Sequence, residues 1–301
     1  MKAYKGFDKN MRCRGYQFAE GETYEHEGDV KLCRSGFHAC LDPVDCLRYY
    51  DPCTSVYHEV EIDGVSDERG DDTKIVCKKI RIGARIGIAE MVKASVNLTF
   101  AACRDAENAD AASGEYSRQA ASGDIGRQSA SGNNSTQAAS GGWSFQSASG
   151  NWSRQSASGD GSRQAASGHG SIQAAGGSMS SQAASGDGSR QAASGSESRQ
   201  AASGRGSRQA ASGSMSLQAA SGDGSRQAAS GSESRQETTG KNCVMMSAGN
   251  NGKARGKIGS WIVLTEWTDG FPTVVAKRID GEEIKEDTWY MAKDGKLVEA
   301  E

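Results

Sequence analysis

One feature constrains this chain more than any other: a nine-residue period that runs without slippage through its middle half. Gly recurs at 114, 123, 132, 141 and onward in steps of nine to 249, sixteen times without an insertion. Gln keeps the same step from Gln119 to Gln236, fourteen times. The unit reads G-x-x-S-R-Q-A-A-S. Such Gly/Ser composition by itself suggests a flexible linker, but a linker has no reason to keep register. A fixed period with fixed register is the mark of a solenoid, in which each repeat buries its neighbour's face.

The period carries geometry. Gly170, Gly188, Gly206 and Gly224 stand 18 apart, alternating with Met179, Glu197, Met215 and Glu233. One coil therefore holds two nonapeptides, as two short strands and two turns of a flattened β-roll. Fourteen Gln-bearing repeats give about seven coils, roughly 34 Å at the usual strand spacing. Alternation along a strand puts Ser, Gln and the last Ala on one side, and Arg with the next Ala or Ser on the other. The first set barely changes between repeats. The Arg position becomes Thr136, Phe145, Ile172, Ser181 and Leu217. Ser, Gln and Ala are thus expected inside, with the Gln amides stacked as ladders along the axis.

Outside, Arg118, Arg127, Arg154, Arg163, Arg190, Arg199, Arg208, Arg226 and Arg235 form an interrupted stripe. Asp187, Glu197, Asp223 and Glu233 at nearby tips are expected to offset it. The stripe reads either as a solvated surface or as a periodic face for anions, nucleotides or a partner protein. Tyr116, Ile125, Trp143, Phe145 and Trp152 gather in the early repeats and are expected to form an aromatic patch against another domain or subunit. A calcium β-roll is excluded, because that motif needs Asp in every turn.

The ends differ in kind. Seven of the 8 Cys lie in the first 103 residues: Cys13, Cys33, Cys40, Cys46, Cys53, Cys77 and Cys103. Their spacings lack the paired CxxC of a zinc module, so no metal site is assigned although His38 and His58 lie nearby. No secretory signal opens the chain, so the thiols are expected reduced. The longest apolar stretch, around Trp261 to Leu264, is too short to span a bilayer. A formal charge of −3 gives no global pull toward nucleic acid or membrane.

The expected fold is mainly β, with three parts. Residues 1–103 form a small α+β domain, with strands at Lys2–Phe7, Val56–Ile62 and Thr73–Ile82 and a short helix Pro43–Tyr50 opened by Asp42. Residues 104–249 form the two-sided parallel solenoid. Residues 250–301 form a β-hairpin cap, with strands at Ile258–Trp267 and Thr273–Arg278 and turns at Asp269-Gly270, Asp280-Gly281 and Asp294-Gly295. The cap covers strand edges that a solenoid would otherwise expose.

Ala3-Tyr4-Lys5-Gly6-Phe7, then Cys13-Arg14-Gly15-Tyr16, then Leu32-Cys33 and Gly36-Phe37-His38-Ala39-Cys40 resemble an uncharacterised phage and prophage family. Its members join such a domain to Ser/Ala/Gly nonapeptides and a C-terminal Gly-Ser-Trp strand, here Gly259-Ser260-Trp261. That resemblance implies a viral protein in the host cytoplasm and no particular activity. Separately, Gly36-Phe37-His38-Ala39 followed by Tyr49 is similar to a segment of ADP-ribosyltransferase folds. That likeness implies Arg14 holding NAD, an aromatic on the nicotinamide, and Glu59 or Glu61 stabilising an oxocarbenium-like state. The interval from Arg14 to Glu61 is short for that family.

The expectation drawn from all of this is a non-enzymatic, cofactor-free binding or scaffold protein. Its solenoid presents a recognition domain and an Arg-bearing face to a host or phage protein, in a setting such as interference with host defence. Two alternatives remain open. One is an NAD- or nucleotide-binding domain using Arg14, His38, Tyr49 and Glu61. The other is a homo-oligomer of side-by-side solenoids.

Overall fold

A computed structural model describes residues 1–50, 55–68, 73–104 and 110–300. Cys53 lies outside these, and the Cys103 side chain is likewise not described. The chain divides into two compact units, residues 1–95 and 96–301.

The first unit is a small, strongly bent β structure. Its strands are β1 (Lys2–Asp8), β2 (Arg12–Cys13), β3 (Tyr16–Gln17), β4 (Thr23–Glu25), β5 (Phe37–Cys40), β6 (Ser55–Val65) and β7 (Lys74–Ile86). The main sheet runs β4-β7-β5-β1-β6, and β7 also pairs with β6, so four strands close on themselves. Closure buries an apolar interior that includes Phe7, Phe18, Val60, Ile75, Ile80 and Ile82. All three strands expected here are present: β1 ends one residue past Phe7, β6 reaches from Ser55 to Val65, and β7 starts at Lys74 and runs on past Ile82 to Ile86. Pro43–Arg48 forms a 3-10 helix, with the Asp42 carboxylate accepting from the Val44 N–H; proline in the first turn lacks only an N–H that would have had no partner.

A helix, α1 (Ile88–Arg104), follows where the sequence reading placed no element. It starts because Glu90 turns back to accept from the Gly87 N–H at 3.0 Å, half of a capping box. Met91 and Val92 are buried, and the Ser95 hydroxyl donates to Asp42.

The second unit is the solenoid, of two parallel sheets. Successive nonapeptides alternate between them. Sheet I begins at Asp110–Ala112 and takes Arg127–Ala130, Phe145–Ala148, Arg163–Ala166 and so on to Lys253–Arg255. Sheet II begins at Arg118–Ala121 and takes Thr136–Ala139, Arg154–Ala157 and so on to Trp261–Thr268. Strand partners are 18 residues apart with no slip, for example Gln155 with Gln173 and Gln173 with Gln191. Each sheet has nine parallel strands, so there are nine coils rather than seven, about 40 Å of stack. The winding continues beyond the Gln-bearing repeats at both ends, where Asp110 at one end and Met245, Ala254 and Ile262 at the other take the place of Gln.

The interior is as the alternation requires. Ser, Gln and the last Ala of the repeats are buried, except in the first, where Ser117, Gln119 and Ala121 are half-buried. From Gln137 to Gln236 each Gln Nε2 donates to the Oε1 one coil earlier at 2.8–3.0 Å. Most also donate across the core to a backbone carbonyl of the opposite sheet, as Gln191 does to Ala201 at 3.1 Å. A core this thin holds because nearly every buried amide is satisfied. The ladder ends on its last members: Gln227 Oε1 and Gln236 Oε1 have no donor among the described residues, because Met245 and Ala254 follow.

Each turn is locked by its Ser, whose hydroxyl donates to the carbonyl of the Gly three residues back, at 2.6–2.9 Å from Ser135 to Ser234. The invariant Gly is required by close approach. A Cβ on any repeat glycine from Gly132 to Gly249 would run into the carbonyl oxygen of the Gly one coil earlier.

The C-terminal strands extend the solenoid sheets rather than forming a separate body. Phe271–Arg278 pairs antiparallel with Trp261–Thr268 and ends sheet II. Tyr290–Lys293 and Lys296–Glu299 end sheet I. Asp269-Gly270 and Asp294-Gly295 are left-handed two-residue hairpin turns. Met245, Ile262, Leu264, Ile279, Ile284 and Tyr290 form an apolar plug where the amide ladder stops.

Candidate functional site

The singled-out residues fall in two places. The first is a pocket of about 320 Å³ in the N-terminal unit, lined by residues from five segments. Lys5 comes from β1. Cys13 and Arg14 come from the β2–β3 hairpin, whose two-residue turn is Arg14-Gly15, both with positive φ. His38 and Cys40 come from β5. Cys46, Tyr49 and Tyr50 come from the 3-10 helix and its exit, and Lys74 opens β7. Gly6 makes room for this arrangement, since a Cβ there would collide with the Tyr50 ring.

Arg14, His38 and Tyr49 therefore do meet in one cavity. Glu61 does not. It lies on the exposed side of β6 and pairs with Arg81 at 3.3 Å, while Glu59 pairs with Lys2. Among the described residues no carboxylate lines the pocket.

Its chemistry is set by cations and thiols. The buried Lys5 ammonium donates to the His38 carbonyl at 2.8 Å and stands 3.5 Å from Cys13 Sγ. The Tyr50 hydroxyl donates to Cys13 Sγ at 2.8 Å, and burial pushes that phenol well above its ordinary range. Lys74 Nζ sits 4.2 Å from the centre of the Tyr49 ring. His38 is held down to about 4, first by burial and then by Lys5, Lys74 and Arg14. Its Nε2 accepts from the Cys33 N–H at 2.8 Å, and it makes a further hydrogen bond to the Gly36 backbone. His38 thus holds the Cys33 loop through its Nε2, and is neutral at pH 7. Among the described residues no group of three His, Cys, Asp or Glu is placed to hold a metal.

Residues 1–94 match the model of DUF7666, a domain of unknown function. The matched residues fall in the N-terminal unit that holds the pocket and stop before the solenoid. No curated protein and no solved structure matches the chain.

The second place is the solenoid surface, where the nine arginines do not form one stripe. Because successive repeats alternate sheets, Arg118, Arg154, Arg190, Arg208 and Arg226 project from sheet II. Arg127, Arg163, Arg199 and Arg235 belong to sheet I. On sheet I every Arg is separated from the next by Phe145, Ser181 or Leu217, and Arg199 is buried. On sheet II, Arg190, Arg208 and Arg226 are direct neighbours on consecutive strands. None of these three has an ion-pair partner among the described residues. Asp187 and Asp223 do not reach them, being bound instead to the Arg205 and Lys241 N–H groups of the next coil, at 2.7 Å each.

Beside this Arg row runs a row of half-buried Ala174 and exposed Ala192, Ala210 and Ala228, continued by exposed Met246 and half-buried Val263. Grooves of about 530 and 820 Å³ flank the Ala row.

The expected aromatic patch also divides. Trp143 and Ile125 lie on turns leading from sheet II to sheet I, whereas Trp152 and Tyr116 lie on turns leading back, on the opposite edge. Each of the four takes a left-handed backbone. The Trp143 and Trp152 rings cover the glycines of the next coil, Gly161 and Gly170. Phe145 belongs to neither edge; it stands on sheet I, 5.7 Å from the Arg127 guanidinium. Sequence proximity suggested one patch, and the two-strand coil separates it. No helix among the described residues is long and apolar enough to cross a membrane.

Proposed function

We propose that the protein is a non-enzymatic binding protein of phage or prophage origin, acting in the host cytoplasm, whose sheet II docks an acidic surface of a host or phage protein. The observation that carries this reading is the Arg190–Arg208–Arg226 row. Three guanidinium groups at one-strand spacing, solvent-facing and without a counter-charge, repel one another. A partner carboxylate row relieves that repulsion and gains charge-assisted, bidentate hydrogen bonds. The adjacent Ala row is flat enough for an extended partner segment to lie close to the sheet, with Met246 and Val263 as apolar anchors. Interference with host defence is one setting such docking serves.

The NAD-dependent alternative has less support, since the pocket brings Arg14, His38 and Tyr49 together but leaves Glu61 outside. Side-by-side homo-oligomerisation through sheet II would set these Arg rows against one another unless the copies are offset. Sedimentation of the full chain at micromolar concentration tests it.

The test of the leading reading is capture from host lysate by the full chain and by a variant carrying Arg190→Glu, Arg208→Glu and Arg226→Glu. One stoichiometric protein retained by the parent, released by salt and missing from the variant, is the expected result. Identical capture by both proteins would overturn the reading.

A further inference from the structure

The N-terminal pocket has a property that sheet II docking does not use. Among the described residues it gathers Lys5, Arg14 and Lys74 and no carboxylate. Lys5 is only 4% exposed. The groups around its ammonium are the His38 carbonyl, the Cys13 sulfur, and the Phe7 and Phe18 rings at 5.4 and 5.7 Å. No carboxylate lies within ion-pair reach of it among the described residues. A buried ammonium without counter-charge is costly to a fold, and most such groups in proteins are paired.

Arg14 adds a second charge on the other side of the same cavity. Its turn position is unusual, because left-handed two-residue turns favour Asn or Asp at that place. Among the described residues only its contact with the Cys33 carbonyl, at 3.4 Å, holds the guanidinium, which remains exposed. Lys74 supplies a third charge beside Tyr49. Cys33, across the cavity, is itself held at positive φ by the His38 bond. Two residues in a costly backbone conformation at one cavity point to a shape kept for a ligand rather than for the fold.

We propose that this pocket binds a small phosphate-bearing ligand of nucleotide size. The phosphate sits among Lys5, Arg14 and Lys74, and a planar ring rests against Tyr49 at the rim. At about 320 Å³ the cavity is larger than a phosphate needs and lies at the small end of ligand sites. His38 contributes no proton transfer; it fixes the Cys33 loop. The field of the three cations, which helps keep His38 neutral, is the field a phosphate would satisfy.

The test is calorimetric titration of the full chain with AMP, adenosine and inorganic phosphate. AMP is expected to bind saturably, inorganic phosphate to compete with it, and adenosine to bind at least tenfold more weakly. Arg14→Met and Lys74→Met are each expected to weaken AMP by about tenfold, the usual effect of removing one charge-assisted hydrogen bond. Lys5→Met is expected to abolish AMP binding while leaving the thermal midpoint unchanged or higher, which separates lost binding from lost folding. No saturable AMP binding up to millimolar concentration would overturn the proposal. So would unchanged AMP affinity in both Arg14→Met and Lys74→Met, or adenosine binding as tightly as AMP.

Discussion

Glu237 and Arg255 occupy the same position on consecutive strands of sheet I, 18 residues apart, and form a fully buried ion pair at 3.2 Å. The Arg255 guanidinium also stands 4.2 Å from the Trp289 ring. Where the earlier coils of sheet I carry Ala or Ser, the last two carry a charge pair under an indole, and this fastens the C-terminal segment to the end of the stack.

Arg255→Met is therefore expected to destabilise the chain by about 3–5 kcal/mol, because it takes away the guanidinium that faces the buried Glu237 carboxylate. The double variant Glu237→Leu/Arg255→Met should recover most of that loss. Urea unfolding of the parent, single and double variants measures both. A double variant as unstable as the single would show that the indole contact, not the uncompensated charge, dominates.

The amide ladder makes a second prediction. Gln191 Nε2 donates to Gln173 and to the Ala201 carbonyl, and its Oε1 accepts from Gln209. Gln191→Leu leaves all three partners short of a bond in a dry interior. A cost of about 2–4 kcal/mol is expected, read as a lower unfolding midpoint. Arg190→Gln, one residue away on the solvent side, should move the midpoint by less than about 0.5 kcal/mol.

Backbone strain at the tips gives a third. Ile125 is β-branched, exposed, and held at φ 62°, a region that β-branched residues enter only at a cost. Ile125→Asn keeps the turn and suits that φ. It should stabilise by about 0.5–1 kcal/mol, seen as a higher melting temperature.

His38 supplies a pH dependence whose sign can be worked out. Its folded pKa is about 4, below the ordinary 6.5, so the unfolded chain takes up the proton first. The contribution of His38 to stability is then complete above pH 6.5 and is lost as pH falls from 6.5 toward 4. Lys5, Lys74 and Arg14, the cations facing it, all act in this direction. His38→Gln keeps an acceptor for the Cys33 N–H but cannot titrate. The difference in stability between parent and variant should shrink or reverse from pH 7 to pH 4.5. A difference independent of pH would show that His38 is not held neutral.

Much of the solenoid was legible because its information is local. A nine-residue period with constant Ser, Gln and Ala states which side chains point inward, and the 18-residue alternation of Gly170, Gly188, Gly206 and Gly224 states the coil. Neither depends on any contact distant in sequence. The same locality misled at the surface. Trp143 and Trp152 are one repeat apart in sequence yet stand on opposite edges, because one repeat is half a coil. The helix Ile88–Arg104 was also missed, since its start rests on a single side-chain bond from Glu90 to the Gly87 N–H.

The sequence by itself thus determined the repeat, its inward faces, its turns and the recurrence of Arg at the outward position. Tertiary structure decided which charges are neighbours. Winding places Arg190, Arg208 and Arg226 on one sheet and Arg199 on the other. In the N-terminal unit, β closure brings Lys5, Arg14, His38, Tyr49 and Lys74 together from five segments, and strand alternation turns Glu61 away. The reason is physical: periodicity is written in neighbouring residues, whereas a pocket is made by strand pairings between residues far apart in the chain, and no local pattern records them.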